Sequence, residues 1–342
     1  MKYSLNDHFR WGWNNEWFNA PQAGGTFQVE IGSCQRGHET FRIETIRATK
    51  LIVDQFSKPV LVGLSGGSDS QVACLALREL KCPFTPVIMK LVSPQGEVFN
   101  QFDIDGGFEF CLKYNLKPII ETLDLERFYK TRGVELAAEH CLSGPQVIAQ
   151  LYLVDKFKDT HAFIMAGGDL IMAKNWHWRE QDYDPVINVF GPTPIQQHLI
   201  KHNIEGCTKF FMYTPELIAS YLDNEIVRGF LAAQKSIYAA YTTMLGGRHW
   251  TKWWLCFNYF IKPMLYVKEW PELLQRKKYT GFEAIEKLEA EAADLMKAVT
   301  KQYEPYWNKI VIPTEELLEH VVNGEGAKRT WTANARDAFK ER

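Results

Sequence analysis

The residues best suited to chemistry are Ser65-Gly66-Gly67-Ser68-Asp69-Ser70, which follow the apolar run "PVLVGL" (59–64) and precede "QVACLALREL". Two glycines weaken a strand and a helix alike, so this burst of small residues needs something to offset its cost. A phosphate chain does so: glycines let backbone N–H groups come close, and a helix N-terminus adds partial positive charge. Ser65 and Ser70 offer hydroxyl donors. Asp69, in the first helical turn, repels a bare phosphate and makes best sense holding Mg²⁺, or in part as a helix cap. The spacing lacks the lysine of GxxxxGK[ST] and does not supply GxGxxG, so neither of those nucleotide loops is present. A Ser- or Asx-capped turn that merely starts a helix is the alternative. A second stretch, "IMAGGDLIM" (164–172), ends another apolar run in Gly167-Gly168-Asp169, a pattern that an ordinary turn would also give.

The elements that must position these turns alternate along the chain. "ETFRIETIRATKLIVDQF" has near-helical spacing of Phe41, Ile43, Ile46, Leu51 and Ile52. "PVLVGL" reads as a strand buried on both faces, followed by a helix from Ser68. "FTPVIMKLV" (84–92), "KPIIETLDL" (117–125) and "HAFIMAG" (161–167) read as further strands. Between them lie "FDIDGGFEFCLKYN", a helix interrupted at Gly106-Gly107, and the helical patterns "ERFYKTRGVELAAEH" and "PQVIAQLYLVDKF". This order predicts an α/β fold, a doubly wound parallel sheet with right-handed crossovers and a ligand crevice beyond the strand ends. Residues 1–40 read as an irregular or β-rich lead-in, 41–190 as the α/β domain, 191–325 as a helical region packed on it, and 326–342 as a polar tail. Thr193-Pro194 and Thr214-Pro215 look like helix starts.

"SGGSDS" after an apolar strand resembles the PP-loop of the ATP pyrophosphatases, and the layout of residues 40–290 is similar to their asparagine synthetase-like branch. The resemblance implies an adenine nucleotide alpha hydrolase-like, Rossmann-like fold with a C-terminal helical region. It implies ATP and Mg²⁺ as cofactors and cleavage of ATP to AMP and pyrophosphate. A substrate carboxylate or amide oxygen is adenylated and then attacked by an amine or ammonia. On this resemblance Ser65, Gly66, Gly67, Ser68, Asp69 and Ser70 hold the pyrophosphate end. Gly167 and Gly168 form a second turn there, and Asp69 and Asp169 approach one metal ion. Val87, Ile88 and Met89 line the adenine, with plain core as their other role. Asp69 and a late lysine, Lys278 (beside Lys277 in "KKYTGFE"), act in catalysis.

The chain departs from asparagine synthetase itself. Residue 2 is Lys and about sixty residues precede the loop, too few for a glutaminase domain. Ammonia or an amine must therefore come free or from a separate partner. Sulfur transfer, of the adenylylsulfate-reductase or tRNA- and nucleobase-modifying kind, is the competing expectation. It needs cysteine chemistry, for which only Cys141 or Cys207 could serve if exposed and activated. A non-catalytic nucleotide-binding protein is the third reading.

Composition narrows the field further. The 342 residues carry a formal net charge of −2, so no general field attracts nucleic acid. The aromatic-basic stretch "GGRHWTKWWLCFNYFIKPM" (246–264) could stack bases, but its helical spacing favours core. His177 and Arg179 in "NWHWRE" could approach substrate. Seven cysteines without a CxxC pair read as reduced thiols, and no His/Cys/Glu spacing suggests zinc. The expected partner is a small-molecule substrate; a homo-oligomer is compatible with the sequence. With no apolar leader and no membrane-length run, the expected location is the cytoplasm.

Overall fold

A computed structural model of the chain describes residues 8–19, 25–142, 145–167, 171–174, 185–188, 193–232, 261–275, 310 and 312–334. At its centre is a parallel sheet of β4 (Val60–Gly63), β5 (Phe84–Val92), β6 (Ile119–Asp124), β7 (Ala162–Ile164) and β10 (Gly206–Cys207). Their order across the sheet is β10-β7-β4-β5-β6. In chain order this is fifth, fourth, first, second, third: the chain builds outward to one edge, returns to the middle and builds to the other. The sheet is doubly wound and Rossmann-like, and the switch point falls between β4 and β7, where Val60 faces Ala162 and Val62 faces Ile164.

Alternation along these strands divides the interior. Val60, Val62, Ile88 and Ile164 join the core on one face; Leu61, Val87 and Phe163 join the core on the other. The first face is covered by α1 (Phe41–Val53), α2 (Ser68–Glu79) and α3 (Gln101–Lys113), and by helices from later in the chain: α8 (Pro215–Leu222), α9 (Lys262–Glu269) and α10 (Thr314–Asn323). The second face is covered by α4 (Leu125–Lys130), α5 (Arg132–His140), α6 (Pro145–Phe157) and α7 (Thr193–Lys201).

Several local expectations hold and several need revision. Thr214 caps α8, its hydroxyl accepting from the Leu217 N–H at 3.1 Å, with Pro215 in the first turn. The helix of α3 runs unbroken through Gly106-Gly107 instead of stopping there. A Cβ on Gly107 would lie 2.7 Å from Ile88 Cδ1, so the glycine serves close approach to β5 and does not end the helix. The pattern over 126–140 splits at Thr131 into α4 and α5.

The N-terminal segment is β-rich, with β1 (Phe9–Trp13), β2 (Glu16–Trp17) and β3 (Thr26–Gly32) in an antiparallel sheet. The stretch expected as a polar tail carries the fourth strand of that sheet. This strand, β11 (Lys328–Asn334), pairs with β3 from Lys328 opposite Gly32 to Asn334 opposite Thr26. A short pair, β8 (Ile171–Lys174) and β9 (Pro185–Asn188), stands apart from both sheets. Among the described residues no helix is long and apolar enough to cross a membrane.

Candidate active site

The first glycine turn and Gly167, the first residue of the second, meet at the switch point. Strand β4 ends at Gly63, opposite Val87 of β5, whereas β5 and β6 stay paired as far as Val92 and Asp124. The longer pair forms a wall beside the shorter strand, and the loop from Ser65 turns at its foot. Leu64 N–H still bonds to Val87 O at 2.8 Å, the last tie before the chain bends away.

Gly66 makes the bend with φ +69°, where an L side chain is strained, and a Cβ there would lie 3.0 Å from the backbone of Gly106 and Gly107. The glycine pair inside α3 thus has a second use: it lets the loop press against the helix. Gly67 is the N-cap of α2, and no side chain caps the helix. The first N–H groups of α2 are therefore presented as donors at the strand edge. Ser70 turns its hydroxyl to Gly67 O at 2.9 Å, and Ser65 Oγ lies 3.4 Å from Ser70 Oγ. Buried Gln71 braces the loop, its amide donating to Gly66 O at 2.9 Å and to Leu274 O at 3.2 Å while accepting from Leu274 N–H at 2.9 Å.

Asp69 points away from this brace. Its carboxylate meets Lys262, whose ammonium donates to Oδ2 at 2.7 Å and lies 2.6 Å from Oδ1. The Tyr266 hydroxyl donates to Oδ1 at 2.7 Å. Lys262 and Tyr266 stand four apart on α9, so one helical face delivers both. The Tyr266 ring stacks on Phe41 of α1, with centroids 5.5 Å apart and planes at 5°, and this holds α9 over the loop. The Lys262 side chain is only 7% exposed. Burial, and secondarily the Asp69 charge, keep the nearby Tyr221 phenol protonated far above its usual range. From the second turn Gly167 comes close: a Cβ there would lie 3.4 Å from Asp69 Oδ2, at a φ of +136°.

The anticipated residues are thus placed as follows. Ser65, Gly66, Gly67, Ser68, Asp69 and Ser70 form one loop and helix start, with Gly167 beside it. Val87 and Ile88 are buried on opposite faces of the sheet as core, and Met89 is half-buried near the level of the loop. Gly168, Asp169, His177, Arg179, Lys277 and Lys278 lie outside the described residues. Sequence reasoning missed Lys262. It lies third from the end of the aromatic-basic stretch 246–264, and a Lys-Pro opening a helix after so apolar a run was the available signal.

Cys207 is buried, and burial pushes the half-buried Cys141 thiol above its ordinary range. Neither is the exposed, activated thiol that sulfur transfer asks for.

No protein-family model matches the chain, and no curated protein matches it. Similar solved structures include the NH3-dependent NAD synthetase of Campylobacter jejuni, 13% identical with a TM-score of 0.30 over 70% of this chain and 97% of that one. NMN synthetase from Francisella tularensis is 13% identical with a TM-score of 0.30 over 80% and 97%. A predicted subunit of a tRNA methyltransferase from Methanocaldococcus jannaschii is 17% identical with a TM-score of 0.27 over 45% and 68%.

Proposed function

We propose that the chain is an ATP-dependent adenylating enzyme of the PP-loop kind, forming a carbon–nitrogen bond on a small-molecule substrate. The observation that carries this reading is the coincidence at one sheet edge of an uncapped helix N-terminus, a glycine at positive φ and a buried lysine. Backbone donors with a buried cation suit the outer two phosphoryl groups of ATP. An apolar ligand would leave the uncapped N–H groups of α2 unsatisfied.

The residues also fit a magnesium nucleotide. Asp69 offers one carboxylate at the mouth of the loop, the sparse protein ligation that Mg²⁺ accepts beside phosphate oxygens. In the chain alone Lys262 balances that carboxylate. Lys262 would hold a phosphate oxygen and Asp69 the metal ion if a magnesium nucleotide were bound. When bound, Mg²⁺ supplies charge neutralisation at the phosphoryl oxygens.

In the first step a substrate carboxylate or amide oxygen attacks the α-phosphorus. The new O–P bond forms as the bond from the α-phosphorus to the bridging oxygen breaks, and pyrophosphate leaves with that electron pair. The loop N–H groups and Lys262 stabilise this leaving group as its charge develops. An amine or ammonia then attacks the activated carbon, AMP departs with the C–O electrons, and the nitrogen loses a proton to solvent.

Incubation with ATP, Mg²⁺ and a metabolite mixture tests the reading, with products followed by mass spectrometry. AMP, pyrophosphate and a new amide, or an amidine where an amide oxygen is activated, are expected from the wild type and none from Asp69→Asn. Formation of ADP, or equal pyrophosphate release by the variant, would contradict it.

A further inference from the structure

On the face of the sheet opposite α2, the ends of α5 and α7 bring together Glu139, His140, His198 and His202. One ligand atom from each lies within 4.8 Å of the other three. His140 Nε2 is 2.9 Å from His198 Nδ1 and 3.5 Å from a Glu139 oxygen, and His202 Nε2 is 2.5 Å from that oxygen. These spacings surround the value of about 3.3 Å that separates neighbouring ligands on a tetrahedral ion with bonds near 2.0–2.1 Å.

The outward nitrogens of the two buried rings are already committed. His198 Nε2 faces Asp155 Oδ1 of α6 at 2.9 Å, and a carboxylate only accepts, so this nitrogen carries the hydrogen. Asp155 is held in turn by Arg132 at 2.7 Å. His140 Nδ1 faces the Gln197 amide oxygen at 3.2 Å and likewise donates. That leaves His140 Nε2 and His198 Nδ1 as two lone pairs pointing at each other, with a carboxylate alongside. A shared proton would satisfy the two rings alone, whereas a cation would displace the proton that His202 Nε2 now donates to Glu139 and engage all four groups. Imidazoles oriented by a carboxylate and a carbonyl behind them are the arrangement that metal-bound histidines adopt.

We infer that Glu139, His140, His198 and His202 form a closed, four-ligand site for a divalent zinc-like ion that ties α5, α6 and α7 together. Three imidazoles and one carboxylate match zinc in ligand type, and four protein ligands with no open position mark a structural site, not a catalytic one. Entry is from solvent, since the His202 side chain is 31% exposed. Lys201, 3.1 Å from the Glu139 carboxylate and 55% exposed, must swing away as the ion arrives. His198 and His202 stand four apart, but the other two ligands come from a helix 58 residues earlier, so no single stretch of the sequence brings the four together. This inference is independent of the nucleotide reading.

The test is calorimetric titration of the chelator-treated full chain with Zn²⁺ alone, with the thermal midpoint followed alongside. The wild type is expected to take up one equivalent and to melt at higher temperature with zinc. His202→Ala, at a surface position that leaves the fold intact, should lose more than about tenfold in affinity and show no zinc-dependent rise. Cys141→Ser should bind as the wild type does. Absence of zinc binding by the wild type would overturn the site and leave the rings as a hydrogen-bond relay with the Gln197 amide reversed. Equal binding by His202→Ala, or loss on replacing Cys141, would place any zinc elsewhere and overturn it equally.

Discussion

Lys262 reaches across 193 residues of sequence to grip Asp69 at 2.7 Å, closing α9 over the start of α2. The pair is largely withdrawn from water, so it joins two helices and stores a cation beside the loop at the same time. Removing one partner leaves the other charge uncompensated. Lys262→Met should therefore destabilise the chain by about 1–3 kcal/mol in urea unfolding, below the fully buried range because Asp69 is partly exposed. Adding Asp69→Asn should restore much of that stability without restoring nucleotide affinity. If the double variant bound ATP as the wild type does, the lysine would be a structural clamp alone.

The contact of Gly66 with α3 predicts a steep response to one methyl group. Gly66→Ala places a Cβ in the left-handed region and 3.0 Å from the backbone of Gly106-Gly107, where nothing can yield cheaply. It should cost about 1–2 kcal/mol in conformational strain alone and weaken ATP binding at least tenfold by calorimetry.

Gly107→Ala tests the same packing from the far side. Its Cβ meets Ile88 Cδ1 at 2.7 Å, the tip of a side chain and not backbone. Ile88→Val removes that tip, so the double variant should be more stable than Gly107→Ala despite the loss of a buried methyl group. Additive destabilisation in a double-mutant cycle would show that the glycine is not there for Ile88.

Acid sensitivity should be traceable to Glu44. Burial pushes its carboxyl up, but the paired bonds from Arg36 at 2.5 and 2.7 Å, the Glu39 N–H and Arg47 together outweigh this and hold it below the ordinary carboxylate range. An acid whose folded value is lowered stabilises the fold above its unfolded value, about 4.3, and loses that contribution as pH falls toward the folded one. Glu44→Gln should thus be less stable than wild type at pH 7, and the gap should narrow below about pH 4 in urea unfolding curves. A gap independent of pH would remove the charge from the explanation.

Much of this was legible in the sequence, for definite reasons. Strands β4, β5 and β7 carry apolar runs buried on both faces, and β6, an edge strand with Ile120 and Thr122 exposed, still opens on an apolar pair. The small-residue loop sits directly after β4, so sheet and loop could be read together. The edge strand β10 has two residues, Gly206 and Cys207, too few to leave a pattern. Gly106-Gly107 looked like a helix break because its purpose is a neighbour distant in sequence. Lys328–Asn334 looked like a tail because its partner, β3, lies at the other end of the chain. Lys262 and the histidine cluster share that obstacle: each is defined by contacts that only the folded chain creates.

The central claim is that the turn after β4 holds the outer phosphates of a magnesium nucleotide. A crystal structure of the chain with Mg²⁺ and an ATP analogue that cannot be cleaved between its α- and β-phosphates tests it directly. The β- and γ-phosphates are expected within hydrogen-bonding distance of the N–H groups at Gly67, Ser68 and Asp69, with the Lys262 ammonium moved onto a phosphate oxygen. A nucleotide bound elsewhere, with the Asp69–Lys262 pair still closed over the turn, would contradict it.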